Sequence, residues 1–125
     1  MSAEMSAAGK AGWAWPDSLD ALVAAPENHI VLFENERVRV VQTRILPGDA
    51  TPVHTHRWPS VLFVFARSDL VRFGERGNVL MDTREAAEAP KLHSPVWQEP
   101  LPPHWVKNVG GAEFRGVQVE LKDAP

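Results

Sequence analysis

The chain contains no cysteine. Disulfide bonds and thiolate metal sites are therefore excluded, and any metal chemistry has to use imidazole or carboxylate. A surplus of basic residues is also lacking: 13 Lys and Arg stand against 16 Asp and Glu, a net charge of −3 with a pI near 5.9. That balance builds no cationic face for a phosphate backbone, so nucleic acid is not an expected partner. Long apolar runs are missing too. The longest, residues 61–66, is far too short to cross a bilayer, and no membrane association is expected. Residues 1–12 are rich in Ala, Ser and Gly but lack the apolar core of a signal peptide, which makes the cytoplasm the expected location.

What is present suits one soluble domain. The chain has 125 residues, 44% hydrophobic and 23% charged, enough to close a core. Residues 1–29 read as a lead-in carrying one short helix over residues 17–25, with an acidic N-cap and a Pro26 stop. From residue 30 to 122 the text is strand-like. Residues 37–45 alternate, setting Val38, Val40 and Gln42 against Arg39, Val41 and Thr43. Pro47-Gly48-Asp49 ends that strand, and residues 51–58 and 61–66 resume. Residues 70–73 are expected to pair with 79–82 across a turn at 74–78, and Asp82-Thr83-Arg84-Glu85 has the form of a capping box. Residues 96–99, 104–109 and 114–122 complete seven to nine short strands, the pattern of an all-β sandwich or barrel.

Candidate chemistry centres on His54-Thr55-His56. Residues two apart on a strand share a face, so the two imidazoles project side by side, where they suit a metal ion. A pair of solvent-facing histidines satisfies the same pattern. A third histidine, His104, follows Pro102-Pro103 at the start of another strand.

Gly48, His54 and His56 on one side, and His104 with Asn108 on the other, make the sequence resemble the cupin superfamily. The resemblance covers roughly residues 30–122. It implies an all-β double-stranded β-helix, the cupin jelly-roll barrel. It also implies that His54, His56 and His104 hold one divalent metal ion, with Gly48 and Asn108 at structural turns. The glutamate that usually follows the first motif would fall at Ser60 or Val61, so that carboxylate is absent; Arg67 or Ser68 replaces its following glycine, and Glu99 and Leu101 replace the usual Pro-x-Gly. Three neutral imidazoles would leave the metal charge uncompensated and favour an anionic ligand. Imidazole alone does not choose among Fe, Zn, Ni, Mn and Cu.

Other residues carry open readings. Trp58 shares the parity of His54 and His56 and is a candidate pocket wall. Gln118 and Glu120 share one face of the last strand and either meet solvent or line the barrel. His93 is expected at the rim, with a pocket role as the alternative, and His29 at a strand entrance receives no function. Arg37, Arg39, Arg44, Arg67 and Arg72 are scattered, so a solvated surface explains them, a substrate-anion clamp being the alternative. Trp13, Trp15 and residues 30–33 offer apolar surface for a homodimer. The resemblance implies a metal-dependent enzyme, dioxygenase- or isomerase-like, acting on a small organic molecule at a three-histidine centre. A non-catalytic small-molecule or metal-binding module is the alternative.

Overall fold

The computed structural model describes residues 13–88 and 91–122; the lead-in expected over residues 1–12 lies outside the described residues. Nine strands follow one another: β1 (His29–Glu34), β2 (Val38–Ile45), β3 (His54–His56), β4 (Ser60–Ala66), β5 (Leu70–Gly74), β6 (Val79–Asp82), β7 (Pro95–Gln98), β8 (Leu101–Asn108) and β9 (Phe114–Leu121). They build two sheets, ordered β1-β2-β9-β4-β7 and β3-β8-β5-β6, and every strand pair is antiparallel. Sequence neighbours are thus often separated in space, so the last two strands close both sheets against early ones. The all-β barrel expected from the sequence is the observed architecture.

The N-terminal helix is shorter than expected. A 3-10 turn occupies Asp17–Leu19, and α1 (Ala21–Ala24) is a single turn. Asp20, not Asp17, caps it: the Leu22 N–H donates to Asp20 Oδ2 at 3.0 Å. α1 packs behind β3, where Asp20 bridges to Thr55, and Ala21 and Ala25 are buried at that contact. This cover explains why all three residues of β3 are buried. The strand expected over residues 51–58 shrinks to those three, because the flanking Pro52 and Pro59 cannot donate to a ladder. β8 starts earlier than expected and carries Pro102 and Pro103 inside it, beside the short β3.

The β5–β6 hairpin forms as read, with Gly77 at φ +89, a conformation that favours glycine. The Asp82 carboxylate accepts from the Arg84 N–H at 3.0 Å and caps a 3-10 turn over Thr83–Glu85. Gly48, at φ +83, donates its N–H to the Asn108 carbonyl at 3.0 Å. The Asn108 amide donates to Ile45 O and Ala112 O, and its oxygen accepts from Ser68 Oγ and the Gly110 N–H. Two motif positions far apart in sequence therefore tie three loops together.

Among the described residues, seven apolar side chains are buried against eleven polar or charged ones. Buried polar groups are costly unless paired. Such an interior marks a site rather than a plain core.

Candidate metal centre

Four of the five histidines meet between the sheets. His54 and His104 are direct cross-strand partners on β3 and β8, and their ring centroids lie 4.4 Å apart. His56 stands 5.0 Å from His54 and 5.4 Å from His104. His29, the first residue of β1, enters from the other sheet at 4.8 Å from His54 and 5.5 Å from His56. One ring nitrogen from each of His29, His54 and His56 lies within 4.8 Å of the others, close enough for a shared metal ion. The histidines expected from the motifs are thus brought together, and His29, given no function in the sequence, joins them.

Their hydrogen bonds fix the tautomers. A carbonyl oxygen only accepts, so a ring nitrogen facing one carries the proton. His54 Nδ1 donates to Pro52 O at 2.8 Å, His104 Nδ1 to Pro102 O at 2.8 Å, and His29 Nδ1 to Ala25 O at 3.0 Å. In each ring the Nε2 lone pair is left free for a ligand. All four rings are nearly sealed from water. Burial first, then the neighbouring His56 and His54, lowers His29 from 6.5 to about 3. The same causes in the order burial, His54, His56 lower His104 to about 2. Burial also lowers His54, and burial followed by His54 holds His56 well below its ordinary value. The cluster is neutral, which is the ligating form.

Behind His56 runs a chain of buried charges. Arg39 and Glu120 face each other across β2 and β9, and Arg39 Nε donates to Glu120 Oε1 at 2.6 Å. The other end of the guanidinium takes the Asp20 carboxylate as a fork, at 2.9 and 3.1 Å. Burial alone would lower Arg39, but Asp20 and Glu120 together hold it above its ordinary value. Burial raises the Glu120 carboxyl, and Arg39 opposes that. Glu120 Oε2 stands 3.5 Å from His56 Nδ1, and neither atom has another partner. Glu120 also pairs in register with Ser60, one of the two positions where the motif glutamate is missing. A carboxylate thus reaches the histidines from the adjacent strand.

The scattered-surface reading of the arginines fails at Arg39, which is 6% exposed. The alternation of β2 decides this: Arg39 shares its inward face with Val41 and Ile45, both buried. Gln118 and Glu120 are likewise buried, at 4% and 0%, so the inward alternative holds for that face. Gln118 lines the cavity and donates to Ser60 Oγ at 3.0 Å. Trp58 lies instead in an outer cleft with Asp20 and Arg57, its ring 4.9 Å from the Arg39 guanidinium. β3 ends at His56, so strand parity does not carry on to Trp58. His93 is exposed, at φ +65, with its ring 5.1 Å from Phe65, and it does not line the histidine cavity. Trp105 faces away from His104 and stacks on Phe73 at 4.1 Å.

The cavity measures about 150 Å³, the size that admits a benzene-like body. Apart from the histidines its walls are mostly apolar, from Ile45, Leu62, Val64, Leu70, Leu101 and Val106 among others. No described helix is long and apolar enough to cross a membrane.

The sequence matches no family model and no curated protein. Its fold, however, is shared with solved proteins. A cupin domain from Bordetella pertussis superposes with a TM-score of 0.62 at 24% identity, covering 75% of this chain and 91% of that one. An RmlC-like cupin with a double-stranded β-helix fold from Methanocaldococcus jannaschii gives 0.53 at 13% identity, covering 75% and 78%. A double-stranded β-helix protein from Klebsiella pneumoniae gives 0.50 at 20% identity, covering 78% and 81%. The chain therefore has the cupin fold. Inside this barrel lies a buried cluster of four histidines backed by Glu120, Arg39 and Asp20.

Proposed function

We propose that the chain is a metal-dependent enzyme acting on a small organic molecule in the histidine-lined cavity. The observation that carries this is the set of buried neutral imidazoles whose Nδ1 atoms are engaged elsewhere, leaving Nε2 free. Water-excluded histidines without a ligand would be a poor use of a barrel interior, since each leaves an unmade hydrogen bond. The histidines suit a divalent ion: His29, His54 and His56 bring ligand atoms within reach of one another, and His104, which the motif implies, stands beside His54. Such an ion supplies Lewis acidity to an oxygen of the bound molecule. The chain's own groups do the rest. Glu120, held by Arg39, orients His56 through Nδ1 in the manner of carboxylate-backed histidine ligands. The apolar walls exclude water and set the size of the molecule, and Gln118 presents an amide to it. An oxidative or isomerising step suits this arrangement.

Elemental analysis of purified protein tests the reading. The wild-type chain should carry about one equivalent of a divalent metal, and His54→Ala and His56→Ala should lose it. Metal-free wild-type protein that takes up no Fe, Zn, Ni, Mn or Cu on dialysis would end it. Oxygen uptake by the iron-loaded protein with small diketones, thiols and hydroxy acids then separates an enzyme from a binding module.

A further inference from the structure

Arg72 lines the histidine cavity, half-buried, and among the described residues it has no hydrogen-bond or ion-pair partner. It lies on β5, opposite Val106 of β8 and Met81 of β6, and all three residues line the cavity. Its Nε is shut off from water and makes no hydrogen bond. Burial lowers its pKa, and no carboxylate offsets that, in contrast to Arg39 with its two carboxylates. Its own charge reaches His54, His56 and His104 and helps to keep them neutral. A second buried donor, Thr43 Oγ1, lines the same cavity from the opposite sheet and is also unpartnered.

An uncompensated guanidinium in apolar surroundings is expensive, and proteins ordinarily pair it or keep it in water. Here the missing counter-charge has room: the cavity that Arg72 lines is large enough for a small molecule. Guanidinium and carboxylate match as a fork, which makes a carboxylate the anion best suited to the space. We infer that Arg72 is the anion-recognising residue of this cavity and that the ligand is a small carboxylate with an apolar body. The inference rests on the cavity being a small-molecule site, as proposed above, and adds the substrate class. The carboxylate end is directed to Arg72 and the apolar body to the apolar part of the cavity wall.

The test is calorimetric titration of the full chain with matched acids and amides, benzoate against benzamide and isobutyrate against isobutyramide. Metal content is measured on the same samples. The wild-type protein should prefer each acid by about tenfold or more, the worth of a charge-assisted hydrogen bond. Arg72→Met should lose that preference while melting at a higher temperature, since it removes an unpaired charge. Arg72→Lys keeps the charge without the fork and should fall between. Should Arg72→Met fail to fold, Arg72→Gln gives the same readout. Equal binding of acid and amide by the wild type, no binding of either acid, or an undiminished preference in Arg72→Met each overturns the inference. The metal reading fails separately: acid preference in metal-free protein that cannot be loaded leaves Arg72 as assigned, and retained metal without acid preference does the reverse.

Discussion

Acid should destabilise the metal-free protein far above the pH at which its carboxylates titrate. His29 and His104 are held at about 3 and about 2 in the folded chain, against 6.5 when unfolded. Below pH 6.5 the unfolded chain takes up protons that the folded one refuses, so stability falls as pH falls. Above 6.5 nothing is lost, and the penalty levels off only near the folded values. Each histidine costs about 1.4 kcal/mol per pH unit inside that window. From pH 6.5 to 5.0 the pair therefore costs about 4 kcal/mol, a large share of the roughly 5–15 kcal/mol of a typical domain. His54 and His56 act in the same direction. Glu120, raised by burial, acts oppositely near the ordinary carboxylate range. Guanidinium unfolding with chelator present, at pH 7.5, 6.5, 5.5 and 5.0, should show a flat upper limb and then a steep fall. In the His29→Phe/His104→Leu double variant the fall should be shallower by about 3 kcal/mol per pH unit, twice the single-histidine slope. A wild-type stability unchanged between pH 6.5 and 5.0 would refute the reasoning, as would an unaltered slope in the double variant.

Further outcomes follow from the same geometry. Arg39→Met strands the buried Glu120 carboxylate and the half-buried Asp20 and should lower stability by about 3–5 kcal/mol in denaturant melts. Asn108→Ala removes the amide that joins three loops through four hydrogen bonds, and a loss above about 3 kcal/mol is expected by the same assay. In elemental analysis, His104→Ala should lose metal and His93→Ala should keep it, because His93 is exposed and away from the cluster. Ile30, Leu32, Phe33 and Trp97 stay more than half exposed on the five-stranded sheet. We expect them to be covered by a second copy of the chain, so light scattering should give twice 13.9 kDa.

The barrel was legible because strand signals are local. Alternation along residues 37–45, the Gly77 hairpin and the Pro47-Gly48 break each report on a few neighbouring residues, and each reappears in the fold. The motif histidines were legible for the same reason, being two residues apart or next to a strand start. His29 was not, and Arg72 could not be told apart from the other four arginines for which an anion clamp was the alternative. Their roles depend on which strands become neighbours, and β1 reaches β3 only through the stacking of two sheets. Arg39 could have been placed from sequence, since it alternates in phase with Val41, but an arginine on an apolar face reads as surface until its carboxylates are found. Trp58 illustrates the converse. β3 ends at His56, so its parity does not carry on to Trp58, which lies outside the strand just before Pro59.

Glu120 shows how the barrel can lose a motif glutamate and still bring a carboxylate to its histidines. Ser60, one of the two motif positions, is buried and its hydroxyl accepts from the Gln118 amide at 3.0 Å. Glu120, directly across on β9, places its carboxylate between Arg39 and His56. A lone carboxylate there would be costly, and Arg39 offsets it at 2.6 Å; Asp20 in turn offsets Arg39. Two negative groups and one positive leave the chain one charge negative behind His56. Four neutral imidazoles alone would not balance a divalent ion, so with a metal bound this outer charge would supply part of what the missing ligand would have supplied. The separation matters. Because Oε1 is committed to Arg39 and Oε2 faces His56 Nδ1 at 3.5 Å, Glu120 would act on a metal through His56 rather than as a fifth donor. Glu120→Gln keeps the shape and removes the charge, so metal affinity should weaken by about 10- to 100-fold, the usual cost of losing such a backing group. Competition titration against a chelator measures this. A variant that binds metal as tightly as the wild type would show that the carboxylate serves Arg39 alone.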